Sequence, residues 1–218
     1  MRPQQRRAWQ DHRRHFLVPV PRVEASTSVA PYATLDLRAQ FGREAPLVVE
    51  IGPGTGEALI SLAQARPDAN VLAFEVYQPA IAGMLTRLAA SRLENVRIVQ
   101  ADAVAGLRHL VPPASVELLL TFFPDPWHKA RHRKRRLLTP GFADLVASRM
   151  PAGGIWRLAT DWQDYAGQMR EVLDAHPAFV NEHPSGWAPR WAGRPITRFE
   201  RRGLDAGRQV YDLTYRRV

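Results

Sequence analysis

At 218 residues with 45% apolar content, the chain can bury one sizeable core. Thirty basic against 21 acidic residues leave a net charge of +9, which points to a polyanionic partner, nucleic acid before membrane surface, because clustered Lys and Arg displace counterions from phosphates. No apolar run reaches the eighteen or so residues that span a bilayer, and the absence of cysteine excludes a disulfide framework, a Cys-liganded zinc and a thiol nucleophile.

MRPQQRRAWQDHRRHFLVPVPR, residues 1–22, is rich in Arg and Pro and lacks apolar periodicity. It reads as a mobile or loosely docked basic arm, so residues 1–30 are set apart from a single domain over 31–218. It has no signal-peptide h-region, and Asp11 with the scattered prolines spoils the amphipathic helix of a transit peptide. From Leu47 onward LVVEI, VLAFEV, VRIV, VELLLTFF and IWRLAT are expected strands, each bounded by turn signals. Helices are expected near 56–66, 79–92, 140–149 and 161–175, the rhythm of a mostly parallel, doubly wound α/β sheet. In the last of them Trp162, Tyr165, Ala166, Met169, Val172 and Leu173 follow a 3.6-residue period, with Thr160 and Gln163 as a capping box. Thr139 followed by Pro140 reads as a helix start. At the end TRFERRG and QVYDLTYRR flank LDAG, the pattern of a C-terminal antiparallel hairpin.

VVEIGPGTGEAL joins a strand, a glycine-rich turn and a helix start. Gly52, Gly54 and Gly56 remove side chains where backbone must approach a ligand. A dinucleotide fingerprint would need glycine at Glu57 and a positive potential for pyrophosphate, and Glu50 argues against phosphate. A carboxylate at that strand end suits an ammonium or a sulfonium, hence S-adenosylmethionine over NAD. Glu75 ends the next strand where doubly wound folds place an acid on ribose hydroxyls, and Asp102 follows the third. Each alone reads equally as a solvated loop acid or helix cap.

FFPDPWHKARHRKRR, residues 122–136, holds Asp125 between two prolines at the end of the fourth strand and follows it with a basic block. The only two lysines of the chain, Lys129 and Lys134, lie in it. Pro124 and Pro126 restrict the backbone and present Asp125 and Trp127 at the pocket mouth, Trp127 reading as a base-stacking ring or a core residue. Lys129, Arg131, Arg133, Lys134, Arg135 and Arg136 read as phosphate contacts, against the plainer reading of a solvated face. His128 with His132 and His12 with His15 have ligand-like spacing but lack further ligands, so no metal is expected.

EIGPGTGE, FFPDPWHKARHRKRR, ATDWQDYA and TRFERRG followed by VYDLTYRR resemble the motifs of bacterial tRNA (guanine-N7)-methyltransferases, from about Leu47 to the C-terminus. The resemblance implies a cytoplasmic, Rossmann-like class I methyltransferase that transfers a methyl group from S-adenosyl-L-methionine to N7 of a guanosine in the tRNA variable loop, position 46. It implies that Glu50, Glu75, Asp102 and Asp125 line the donor site. It further implies that Lys129, Asp161 and Thr197, Arg198, Phe199 and Glu200 contact the substrate. Guanine N7 carries an in-plane lone pair and no proton, so orientation outweighs general-base catalysis, and Asp125 is the candidate to stabilise the developing charge. Asp161 also reads as a helix cap, and Glu200, among Arg198, Arg201 and Arg202, as an ion pair. Two rivals are an RNA amino-group methyltransferase, because FPDPW loosely resembles an exocyclic-amine loop, and a non-catalytic RNA-binding protein.

Overall fold

The computed structural model describes residues 1–23 and 27–218. Five strands, β1 (Leu47–Ile51), β2 (Asn70–Phe74), β3 (Val96–Val99), β4 (Val116–Phe122) and β5 (Ile155–Thr160), run parallel. β7 (Tyr211–Arg217) lies antiparallel to both β5 and the short β6 (Phe179–Asn181), giving the order β3-β2-β1-β4-β5-β7-β6. The order reverses direction between β1 and β4, which opens a crevice at their carboxyl ends.

The five parallel strands are mostly apolar because both faces are covered. Val49, Leu72, Phe74 and Leu119 pack with α5 (Ala103–Leu110), α6 (Pro140–Arg149) and α7 (Gln163–Asp174). Their alternating neighbours Val48, Val71, Ala73, Leu118 and Leu120 pack with α3 (Glu57–Ala65) and α4 (Gln78–Ser91). Thr139 caps α6 as its Thr-Pro start predicts, accepting from Phe142 N at 3.2 Å.

Five features depart from the expectations, one of them α5, which none of the expected helices covers. The first part of the basic arm is a helix, α1 (Pro3–Phe16), with Pro3 in the first turn where no N–H is needed. It buries only Ala8 and Phe16, too few positions for a periodic signal, and Gln5 Nε2 donates to Pro79 O in α4 at 3.0 Å. The chain then pairs with the sheet edge, Val18 N donating to Ile98 O at 2.9 Å; residues 24–26 of the expected arm lie outside the described residues. A short helix, α2 (Leu37–Phe41), is capped by Asp36. The C-terminal antiparallel pair is present, but its first member is Phe179–Asn181; Thr197–Gly203 instead starts a helix, α8 (Arg198–Asp205), whose Thr197 Oγ1 accepts from Glu200 N at 3.1 Å. At α7 the cap residue is Trp162, and Thr160 Oγ1 accepts from its N–H at 3.2 Å, so the Thr160–Gln163 box does not form. Among the described residues no helix is long and apolar enough to cross a membrane.

Candidate active site

The glycine turn is built on left-handed backbone at Gly52, Gly54 and Gly56, with φ of 67°, 59° and 78°. At Gly56 a Cβ would also lie 2.5 Å from Met84 Cγ, so both φ and the approach of α4 require glycine there. Glu75 braces the turn from β2's end: Oε2 accepts from Gly54 N at 3.0 Å and Oε1 from Tyr77 N at 2.8 Å.

Glu50 sits in register with Ala73 and Leu120, flanked by apolar strands, and is 2% exposed. Burial, and then the neighbouring Glu75, pushes its carboxyl from 4.5 up to about 8. Its Oε2 has no hydrogen-bond partner. This carboxylate lines a cavity of about 220 Å³ together with Gly52, Gly54, Phe123, Arg194 and the start of α8 at Thr197, Arg198 and Phe199. Glu57 joins the two sides: Oε2 accepts from Arg198 N at 2.7 Å while Oε1 meets Arg87 Nη2 at 3.1 Å. The chemistry of the wall, an unpartnered buried acceptor beside side-chain-free backbone, fits a cationic ligand.

The remaining expected site residues are distributed as follows. Asp102 caps α5, accepting from Ala105 N at 2.9 Å, and does not line the cavity. Asp125 is exposed and lines a separate hollow with Trp127, His128, Lys129 and His132. The structure therefore brings Glu75 close to Glu50, but of the four expected acids only Glu50 lines the cavity. Asp161 is not a helix cap: Oδ2 pairs with Arg208 Nε at 2.7 Å, at the rim of a third hollow lined by Trp162 and Tyr211. Glu200 is 1% exposed and held by Arg190 at 3.1 Å and 3.2 Å and by Arg194 Nη2 at 3.1 Å. It is an ion pair buried inside the protein, and its partners differ from the arginines beside it in sequence.

The loop that presents Asp125 carries two non-glycine residues with positive φ, Phe123 at 51° and Trp127 at 43°, a strained backbone of the kind that concentrates at functional sites. Trp127 is half-buried, with the Arg135 guanidinium 5.0 Å over its ring and His132 edge-on at 5.8 Å. The basic block forms a 3-10 helix, Ala130–Arg135. Lys129, Arg131, Arg133, Lys134 and Arg135 are exposed, and Arg133 pairs with Asp164 at 3.2 Å. Arg136 is corrected from a phosphate contact to an anchor: it is 3% exposed, donates to Pro126 O at 2.8 Å, Gln168 Oε1 at 2.7 Å and Asp164 Oδ2 at 2.5 Å, and lies over Tyr165. His128 packs on Trp162 at 5.3 Å, and among the described residues no group of three His, Asp or Glu could hold a metal.

Sequence reading missed Arg194, Arg190, Arg208 and the tie made by Glu57. Arg190, Arg194 and Arg208 sit in irregular segments and carry no local pattern; Glu57 was visible only as the residue that breaks the glycine fingerprint.

A parallel sheet with a switch point, an acid ending β1 and a glycine turn opening on a cavity together define a Rossmann-like class I methyltransferase. The fold is similar to that of the 16S rRNA methyltransferase KamB, at 18% identity and a TM-score of 0.58 over 88% of this chain and 99% of that one. It is also similar to a protein from Streptococcus mutans described as "a putative methyltransferase" and solved with S-adenosylhomocysteine, at 11% identity and a TM-score of 0.53 over 80% of this chain and 90% of that one. A family described as "Putative methyltransferase" matches residues 44–213. A tRNA (guanine-N(7)-)-methyltransferase of Cutibacterium acnes is 53% identical over all of this chain and 80% of its own length. The chain belongs to the tRNA (guanine-N7)-methyltransferase family.

Proposed function

We propose that the protein transfers a methyl group from S-adenosyl-L-methionine to N7 of a guanosine in tRNA, at variable-loop position 46. The observation that carries the reading is the unpartnered, buried Glu50 carboxylate in the cavity above the glycine turn, together with the family to which the chain belongs. The donor supplies an electrophilic methyl on a sulfonium, transferred to a ring nitrogen that already holds a free lone pair, so no side chain needs to remove a proton first. Glu50, with the backbone of Gly52 and Gly54, would hold the donor's cationic end; Glu75 keeps the turn in shape. Asp125 would accept hydrogen bonds from the guanine edge and stabilise the positive charge that N7 methylation creates. Its exposure and its strained loop support this role, because the group must meet a substrate arriving from solvent. Lys129, Arg131, Lys134 and Arg135 would hold tRNA phosphates beside it. Asp161, now paired with Arg208, would contact the nucleotide from the far side of the same sheet edge. Residues 31–218 would act as one catalytic domain, with residues 1–30, helical over Pro3–Phe16, as its basic appendage, in the cytoplasm where tRNA is modified.

The test is mass spectrometry of nucleosides from tRNA incubated with purified protein and S-adenosylmethionine. The reading expects 7-methylguanosine; N2-methylguanosine or N6-methyladenosine as the only product would replace it with an amino-group methyltransferase.

A further inference from the structure

Asp161 follows β5 directly, and its side chain is only 11% exposed. Oδ2 pairs with Arg208 Nε at 2.7 Å, and among the described residues Oδ1 accepts no hydrogen bond. The backbone of α8 makes room for this pair. Gly207, left-handed at φ 72°, turns the chain back past the helix end, so that Arg208 N donates to Gly203 O at 2.9 Å. Gly203 is buried inside α8, where glycine weakens a helix. A Cβ there would lie 3.0 Å from Asp161 Oδ2 and 3.4 Å from Arg208 Nε, so the missing side chain is the space the ion pair occupies.

Asp161 and Arg208 line one hollow with Trp162 and Tyr211. That hollow adjoins the one that holds Asp125, because His128 of the Asp125 hollow packs on Trp162 at 5.3 Å. α8 connects it to the donor cavity as well: Thr197, Arg198 and Phe199 line that cavity, and Gly203 follows Arg198 by five positions, about 8 Å along the axis. Guanine carries N7 on one edge and its 2-amino group on the opposite one. A base that turns N7 to the donor therefore turns its N1–H and 2-amino donors away from it, and these are enough for two carboxylates.

We propose that Arg208 is a positioning residue that acts through Asp161, fixing Oδ2 so that Oδ1 accepts from the 2-amino group of the target guanosine while Asp125 meets the same edge from the adjoining hollow. The proposal rests on the reading of Asp161 as a contact to the tRNA guanosine. A carboxylate with one oxygen held by a cation presents the other in a set direction, and a base held that way keeps N7 aligned with the donor methyl. Arg208 is exposed, so the pair contributes little to folding. Its effect falls on turnover and on discrimination between bases, and leaves donor affinity unchanged.

The test compares methyl transfer to two versions of one tRNA, with guanosine or inosine at the target position; inosine lacks only the 2-amino group. The wild type is expected to prefer guanosine roughly ten- to hundredfold in kcat/KM, the worth of one hydrogen bond to a charged group. Arg208→Gln should lose most of that preference, with a lower kcat on the guanosine tRNA, a KM little changed and wild-type affinity for S-adenosylhomocysteine by calorimetry. Arg208→Lys, which returns a cation to Asp161, should recover part of it. Equal rates on both tRNAs by the wild type overturn the proposal, as does a full preference kept by Arg208→Gln or a loss of donor binding that accounts for its slower turnover. If the wild type forms no 7-methylguanosine in the guanosine tRNA, the functional reading fails and takes the proposal with it.

Discussion

The cavity beside the glycine turn and the basic face beyond β4 handle charge in opposite ways. In the cavity, Glu50 and Arg194 are desolvated, held rigidly and each left with one unpartnered atom. On the basic face, Lys129, Arg131, Lys134 and Arg135 are exposed, and Arg136 alone is buried to fasten the block to α7 and the Asp125 loop. Low dielectric makes a single buried contact strong and selective, whereas exposed charges act as a sum, individually weak and screened by salt. One region is built to choose a small ligand, the other to hold a large polyanion.

The comparison breaks most readily at Glu50. Glu50→Gln keeps the shape and removes the charge, and should weaken S-adenosylhomocysteine binding by about 2–5 kcal/mol, measured by calorimetry. The same substitution should stabilise the ligand-free protein. A carboxyl raised from 4.5 to about 8 keeps its proton in the folded state while the unfolded chain releases it, so the wild type loses stability as pH rises from about 4.5 to about 8, on the order of 3 kcal/mol by pH 7. Urea denaturation across that range should show the slope in the wild type and not in the variant.

Arg136 sharpens the boundary between the two regions. Arg136→Met should cost about 2–3 kcal/mol, read as a lower urea midpoint, because it strips bonds from Pro126 O and Gln168; the pair with the half-exposed Asp164 adds little. Donor binding should change far less than tRNA binding, since the block loses its anchor while the cavity is untouched. The smallest effect belongs to Lys134→Ala: tRNA affinity falls slightly, and the log–log salt slope drops by roughly 0.7–0.9. An unchanged slope removes Lys134 from the phosphate contacts.

What was legible in the sequence follows the same division. Strands buried on both faces announce themselves as continuous apolar runs, and all five parallel ones were read correctly from Leu47 to Thr160. α1 buries too few residues to leave a period, and TRFERRG alternates like a strand although its Thr197-x-x-Glu200 spacing is a helix-start pattern. Glu50 was legible because its place at the end of β1 is set by local pattern. The fates of Glu200, Arg136 and Asp161 were not, because their partners Arg194, Asp164, Gln168 and Arg208 arrive from other parts of the chain. Local spacing places a side chain at a sheet edge; whether it faces ligand or counter-ion is a tertiary fact.

The pH dependence of S-adenosylhomocysteine binding tests the central claim most directly. If a buried Glu50 carboxylate must ionise to receive the ligand's ammonium, wild-type affinity rises towards tenfold per pH unit from pH 6 to about 8, and Glu50→Gln shows no such rise. A flat wild-type profile over that interval, with binding intact, would contradict it.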